Sequence, residues 1–123
     1  PKVIGWIDSV DEQSLYLSVI TLGEIRKGVD SLSVGRRRGD LDIWLQEKLP
    51  ARFAGRVLPV DLEIADRWGR VAASMRRAGT PLPVLDALLA ATALHHGLTV
   101  ATRNTRDFRN SGVAVFNPWA LHS

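Results

Sequence analysis

The chain has 123 residues, 46% of them hydrophobic and none of them cysteine, and carries 16 basic against 13 acidic side chains for a formal charge of +3. This length supports one domain around one core, and the apolar share excludes a disordered chain. The lack of cysteine excludes a disulfide framework and a thiolate metal site and fits a reducing, cytoplasmic location, while no apolar run is long enough to span a bilayer.

Taken in chain order, residues 2–10 place Val3, Ile4, Ile7 and Val10 on one helical face. LYLSV (15–19) reads as a short strand. TLGEIRKGVDSL (21–32) reads as a helix with Leu22, Ile25 and Val29 inward. After the polar turn SVGRRRGD, residues 40–49 set Leu41, Trp44, Leu45 and Leu49 at helical spacing, and Pro50 predicts an end or a kink there. RVLPV (56–60) is a strand whose Pro59 suggests an edge.

Asp61 is placed to cap the next helix. That helix runs to about Ala78, buries Ile64, Ala65, Trp68, Val71, Ala72 and Met75, and stops at Gly79. PVLDALLAATALHH (83–96) is apolar nearly all round, which predicts a deeply buried helix ended by Gly97. LTVAT (98–102) is a strand, RDF a short helical turn, and VAVF (113–116) a last strand. Strands alternating with helices imply an α/β fold with a parallel sheet covered on both faces.

In such a sheet, ligands bind beyond the carboxyl ends of the strands. Glu24 follows strand 15–19 and Asp107 follows strand 98–102. Asp86 opens a helix that runs antiparallel to the strand it feeds, so it belongs to the same edge. Asp61 shares that edge, farther to the side.

Each acid also has a purely structural explanation. Glu24 completes a capping box with Thr21, Asp86 gains from the helix dipole, and Asp107 can cap a short helix. Together these explanations weaken. Asp86 interrupts an apolar helix, and a poorly solvated carboxylate needs a partner. Several acids on one edge repel, which a divalent cation with a preference for hard oxygen ligands, Mg²⁺ or Mn²⁺, relieves. Such a site suits phosphoryl chemistry.

Thr102 and Asn104 are positioned to orient Asp107; Arg103 and Arg106 either meet a polyanion or balance local acids. His95 and His96, in a last helical turn, read as ordinary surface residues. There is neither a P-loop nor a GxSxG elbow.

SVITLGEIRKGV and PLPVLDALLAATALHHGLTVATRNTRDF resemble the PIN-domain ribonucleases, particularly bacterial toxins of toxin–antitoxin pairs of the VapC and FitB type. The resemblance covers nearly all of the chain. It implies a single three-layer PIN-like domain over 1–123, with a parallel sheet of about five strands and helices on both faces. It implies Mg²⁺- or Mn²⁺-dependent hydrolysis of RNA phosphodiesters, with Glu24, Asp86 and Asp107 as metal ligands and catalytic acids. The stretch from Arg36 to Phe53 resembles the helical arm of these toxins, where Arg37 and Arg38, with Arg103 elsewhere, are candidate contacts to RNA or antitoxin. Expected partners are a cognate antitoxin, a second copy in a homodimer, and operator DNA through the antitoxin only.

The family opens with a strand bearing an Asp-Thr-Asn-like motif, which has no match here. The chain begins at Pro1 and its only methionine is Met75, so the expectation is an N-terminally incomplete domain whose first strand and first acid are absent from this chain. A catalytically incomplete partner-binding module of a toxin–antitoxin complex is therefore the alternative. A receiver domain also gathers acids and Mg²⁺ at a sheet edge, but its late Lys is replaced here by Arg103, and only Asp61 stands where its central acid belongs.

Overall fold

Helix caps and prolines limit the strands of this protein. The computed structural model describes residues 12–118. The expected helical face of residues 2–10 lies outside that range. Among the described residues there are four strands of two residues each, in two parallel pairs, where a sheet of about five was expected. Strand β1 (Leu17–Ser18) pairs with β2 (Val57–Leu58), and β3 (Val100–Ala101) pairs with β4 (Val115–Phe116). β1 stops because Ser18 turns to cap a helix, and β2 stops at Pro59, which has no N–H to extend a ladder.

Leu15–Pro59 forms one compact unit. Its first helix, α1 (Val19–Asp30), starts two residues before the expected position. Ser18 is the N-cap, its side chain accepting from the Ile20 amide at 3.0 Å, so Thr21 and Glu24 form no capping box. Val29 is buried, and Leu22 and Ile25 pack with it against Leu45 and Leu49 of the arm.

Helix in the arm extends beyond the expected residues 40–49 at both ends. It comprises α2 (Arg36–Ile43), a π-helical stretch (Trp44–Lys48) and the short α3 (Leu49–Arg52). Pro50 does not end it. The Leu49 amide donates to the Trp44 carbonyl, five residues back, and this widened turn precedes the ring that would crowd a regular helix. Leu45 and Leu49 are buried, but Trp44, expected inward, is 37% exposed. Arg26 joins α1 to α2 through Asp42 at 2.6 Å and also meets Asp30 at 2.9 Å. Buried Arg56 donates to the carbonyls of Leu15 at 2.7 Å and Arg52 at 2.6 Å, fixing the approach to β1.

The other unit carries the chain from Val60 onward. Asp61 caps α4 (Leu62–Arg77), accepting from the Ile64 amide at 2.9 Å. Asp61→Ala is expected to cost about 1 kcal/mol in chemical denaturation while Asp61→Asn stays near wild type; equal stability of all three proteins would remove the cap from this account. Ile64 and Met75 are buried, and Trp68, Val71 and Ala72 are half-buried. Ala65, expected inward, is exposed.

α4 packs on α5 (Val84–His96), where Ala87, Ala90 and Ala91 are buried small residues that allow close approach. α5 is not buried all round: Val84 and Leu85 in its first turn are 61% and 44% exposed. Both helices end alike. Thr80 and Gly79 donate back to Met75 and Arg76, and Leu98 and Gly97 donate back to Ala93 and Leu94. Each closure needs its glycine at positive φ, +76° and +65°. The core of this unit joins Ala90, Ala93, Val100, Phe108 and Val113.

Candidate active site

Three neighbouring residues carry the order of the β3–β4 pair outward to an acid. The Thr102 amide donates to the Phe116 carbonyl at 2.9 Å, which holds Thr102 at the end of β3. Its Oγ1 accepts from the Asn104 amide at 3.0 Å. The Asn104 side-chain Nδ2 in turn donates to Asp107 Oδ2 at 2.7 Å. Asp107 lies inside a 3₁₀ turn (Arg106–Phe108) that has no side-chain cap, so its expected capping role is absent.

The turn itself is set by Phe108, 1% exposed in the core. A 3₁₀ helix repeats every three residues, so side chains three apart align. Thr105, Phe108 and Ser111 are the half-buried and buried positions, and Asn104, Asp107 and Asn110 are exposed. Burial of one aromatic ring thereby turns Asp107 outward, on the side where Asn104 meets it.

Asp86 is the third residue of α5, whose N-cap, Pro83, supplies no side-chain bond. Its carboxyl titrates above its ordinary range, first because burial disfavours the charge and second because Asp107 repels it. The structure thus brings Asp86 and Asp107 together, as their common sheet edge predicts, with Thr102 and Asn104 behind Asp107.

Glu24 is exposed in the second turn of α1, in the unit of residues 15–59. Among the described residues, no three Asp, Glu or His side chains form a group arranged to hold a metal ion. The Asp86–Asp107 pair still has the chemistry of a cation site: hard oxygen donors, mutual repulsion, and one member partly desolvated.

Other expected residues fall elsewhere. Arg37 is exposed and Arg38 half-buried in the first turn of α2, and Arg103 is exposed just before the 3₁₀ turn. His95 lies 3.5 Å from Glu63 and lines a groove of about 780 Å³ with Asp66, Arg70 and Asn110. Neither Asp86 nor Asp107 lines this groove. Among the described residues, no helix is long and apolar enough to cross a membrane. Arg109, which the sequence analysis did not single out, is exposed at the end of the 3₁₀ turn.

Comparison with known proteins follows the same outline. The model of the family described as "PIN domain" matches residues 2–113, a range that includes residues of both units. "Toxin FitB" of Neisseria gonorrhoeae is 40% identical over 118 residues, covering 96% of this chain and 85% of that protein. "VapC ribonuclease Y4jK" of Sinorhizobium fredii is 38% identical over 117 residues, covering 95% of this chain and 84% of that protein. A chain in "Structure of FitAB bound to IR36 DNA fragment" superposes with a TM-score of 0.92 at 38% identity, covering 99% of this chain and 85% of that one.

Proposed function

This chain belongs to the PIN-domain family, and from that premise we propose that it is a metal-dependent endoribonuclease, the toxin of a toxin–antitoxin pair. One observation carries the reading: two carboxylates from separate elements, Asp86 and Asp107, lie near enough for the second to repel the charge of the first, and Asp107 is buttressed by Asn104. The names of the relatives support it, since they are toxins and ribonucleases.

Asp86 and Asp107 are the residues that would hold Mg²⁺ or Mn²⁺, and Glu24 is the third acid of the proposed set by its place in SVITLGEIRKGV. When bound, such an ion polarises a phosphate and lowers the pKa of water at neutral pH. The chain's own part is positional. Asn104 occupies one oxygen of Asp107 and holds the carboxylate in one orientation, while Thr102 fixes the Asn104 backbone to the sheet. Partial burial of Asp86 lowers the local dielectric, which strengthens its attraction for a cation once it is ionised. Proton and cation compete for Asp86, so cation affinity rises with pH through its elevated pKa.

An antitoxin bound to the toxin, a homodimer of the toxin, and contact with operator DNA through the antitoxin complete the proposal. The FitAB complex on DNA supports the antitoxin and DNA elements. The test is cleavage of RNA by the purified chain in Mg²⁺, in Mn²⁺ and in excess chelator. Cleavage that requires the cation is expected; cleavage indifferent to chelator would remove the acids from the chemistry. One observation favours the partner-binding alternative, the absence of a three-acid group among the described residues. Tight antitoxin binding with no cleavage under any cation would select it.

A further inference from the structure

The face of the 3₁₀ turn beside Asp107 presents two more arginines, and their placement follows from the same geometry. Arg106 and Arg109 are three residues apart, and the backbone between them keeps the helical course, with the Arg109 amide donating to the Arg106 carbonyl at 3.2 Å. At about 2.0 Å rise per residue, their side chains leave the turn aligned and about 6 Å apart along its axis. Phe108 points into the core and Asp107 meets Asn104, so the third side of the turn is the one these arginines occupy. Both are exposed, and neither guanidinium has a carboxylate or hydrogen-bond partner among the described residues.

We infer that Arg106 and Arg109 are a phosphate-binding pair that seats the RNA backbone next to the Asp86–Asp107 acids. This rests on the ribonuclease reading above and adds the residues that position its substrate. A site built from two repelling acids repels a polyanion too, so binding RNA there requires cations beside it. The turn supplies them on a rigid support, because Phe108 is anchored and the acid is held one face away. The composition favours RNA over a protein partner. Exposed positions from Arg103 to Asn110 are Arg103, Asn104, Arg106, Asp107, Arg109 and Asn110, with no exposed apolar side chain to form the dry centre of a protein interface.

The experiment measures fluorescence anisotropy of a labelled single-stranded RNA of mixed sequence against the full chain, in chelator, over a series of salt concentrations. It compares wild type with the double variants Arg106→Gln/Arg109→Gln and Arg106→Lys/Arg109→Lys. Loss of two phosphate contacts from a single strand is expected to lower the slope of log K against log salt by about 1.4. At low salt the Gln variant is expected to bind roughly 10-fold more weakly, whereas the Lys variant keeps the wild-type slope. In cleavage assays KM rises and kcat holds. Unchanged slope and KM in the Gln variant overturn the inference while cleavage by wild type preserves the ribonuclease reading. The same result with weakened binding of the co-expressed antitoxin reassigns the turn to a protein contact and also overturns it. Wild type that neither binds nor cleaves RNA overturns both readings.

Discussion

Asp86→Asn is expected to reduce RNA cleavage by roughly 100-fold or more while the folded protein becomes more heat-stable at neutral pH. The activity estimate rests on the residue's proposed place as a direct cation ligand. Removing groups that merely support a metal ligand costs about 10–100-fold in affinity or activity, so losing a ligand should reach or exceed that range. The stability change follows from the elevated pKa. Burial and Asp107 raise the Asp86 carboxyl above its ordinary 3.8, so the folded chain holds this proton more tightly than the unfolded chain does.

The sign is then fixed. Below the unfolded value the group is protonated in both states and costs nothing. As pH rises through the folded value the charge appears in a site that disfavours it, and the penalty is complete above that value. An amide carries no such penalty. Thermal unfolding in chelator should therefore give Asp86→Asn a higher Tm than wild type at pH 7, with the gap closing as pH falls to the ordinary carboxyl range. Added Mg²⁺ should raise the Tm of wild type and leave the variant unmoved. A variant less stable than wild type at pH 7 would instead make Asp86 a structural residue and weaken the case for a cation at this edge.

The second large effect is expected from a residue that does no chemistry. Phe108 is buried among Ala90, Ala93, Val100 and Val113 and holds the turn that carries Asp107. Phe108→Ala should destabilise the protein by about 3–5 kcal/mol, the usual range for emptying an aromatic site. In a chain of this size that lowers Tm by roughly 10–20 °C. Phe108→Leu keeps most of the apolar contact and should lose much less. Below its lowered Tm the alanine variant should still be deficient in cleavage, because the turn that directs Asp107 and aligns Arg106 with Arg109 has lost its anchor. A loss under about 1 kcal/mol by urea denaturation would mean the turn is not tied to this core.

Local chemistry determined much of this protein in advance. Asp61 was legible as a cap, and Gly79 and Gly97 as helix stops, because each role needs only the residue and its immediate neighbours. The apolar spacing of Leu22, Ile25 and Val29 placed an inward face on α1 for the same reason. The common edge of Asp86 and Asp107 was also legible, since a helix feeding a parallel strand must run back along it.

Other features depended on partners distant in the chain. Ala65 and Trp44 sit at core spacing but are exposed, because a periodic pattern defines a stripe and only the neighbouring elements decide how much of it is covered. The capping box read from Thr21 and Glu24 gave way to Ser18, which ends β1 and opens α1 in one residue. Pro50 was absorbed by a widened turn because Leu45, within that turn, and Leu49, just after it, are both held in the core with Val29. The elevated pKa of Asp86 is tertiary as well: its residue type is local, but its burial and its repulsion by Asp107 exist only once α5 and the turn after β3 are folded against the same core.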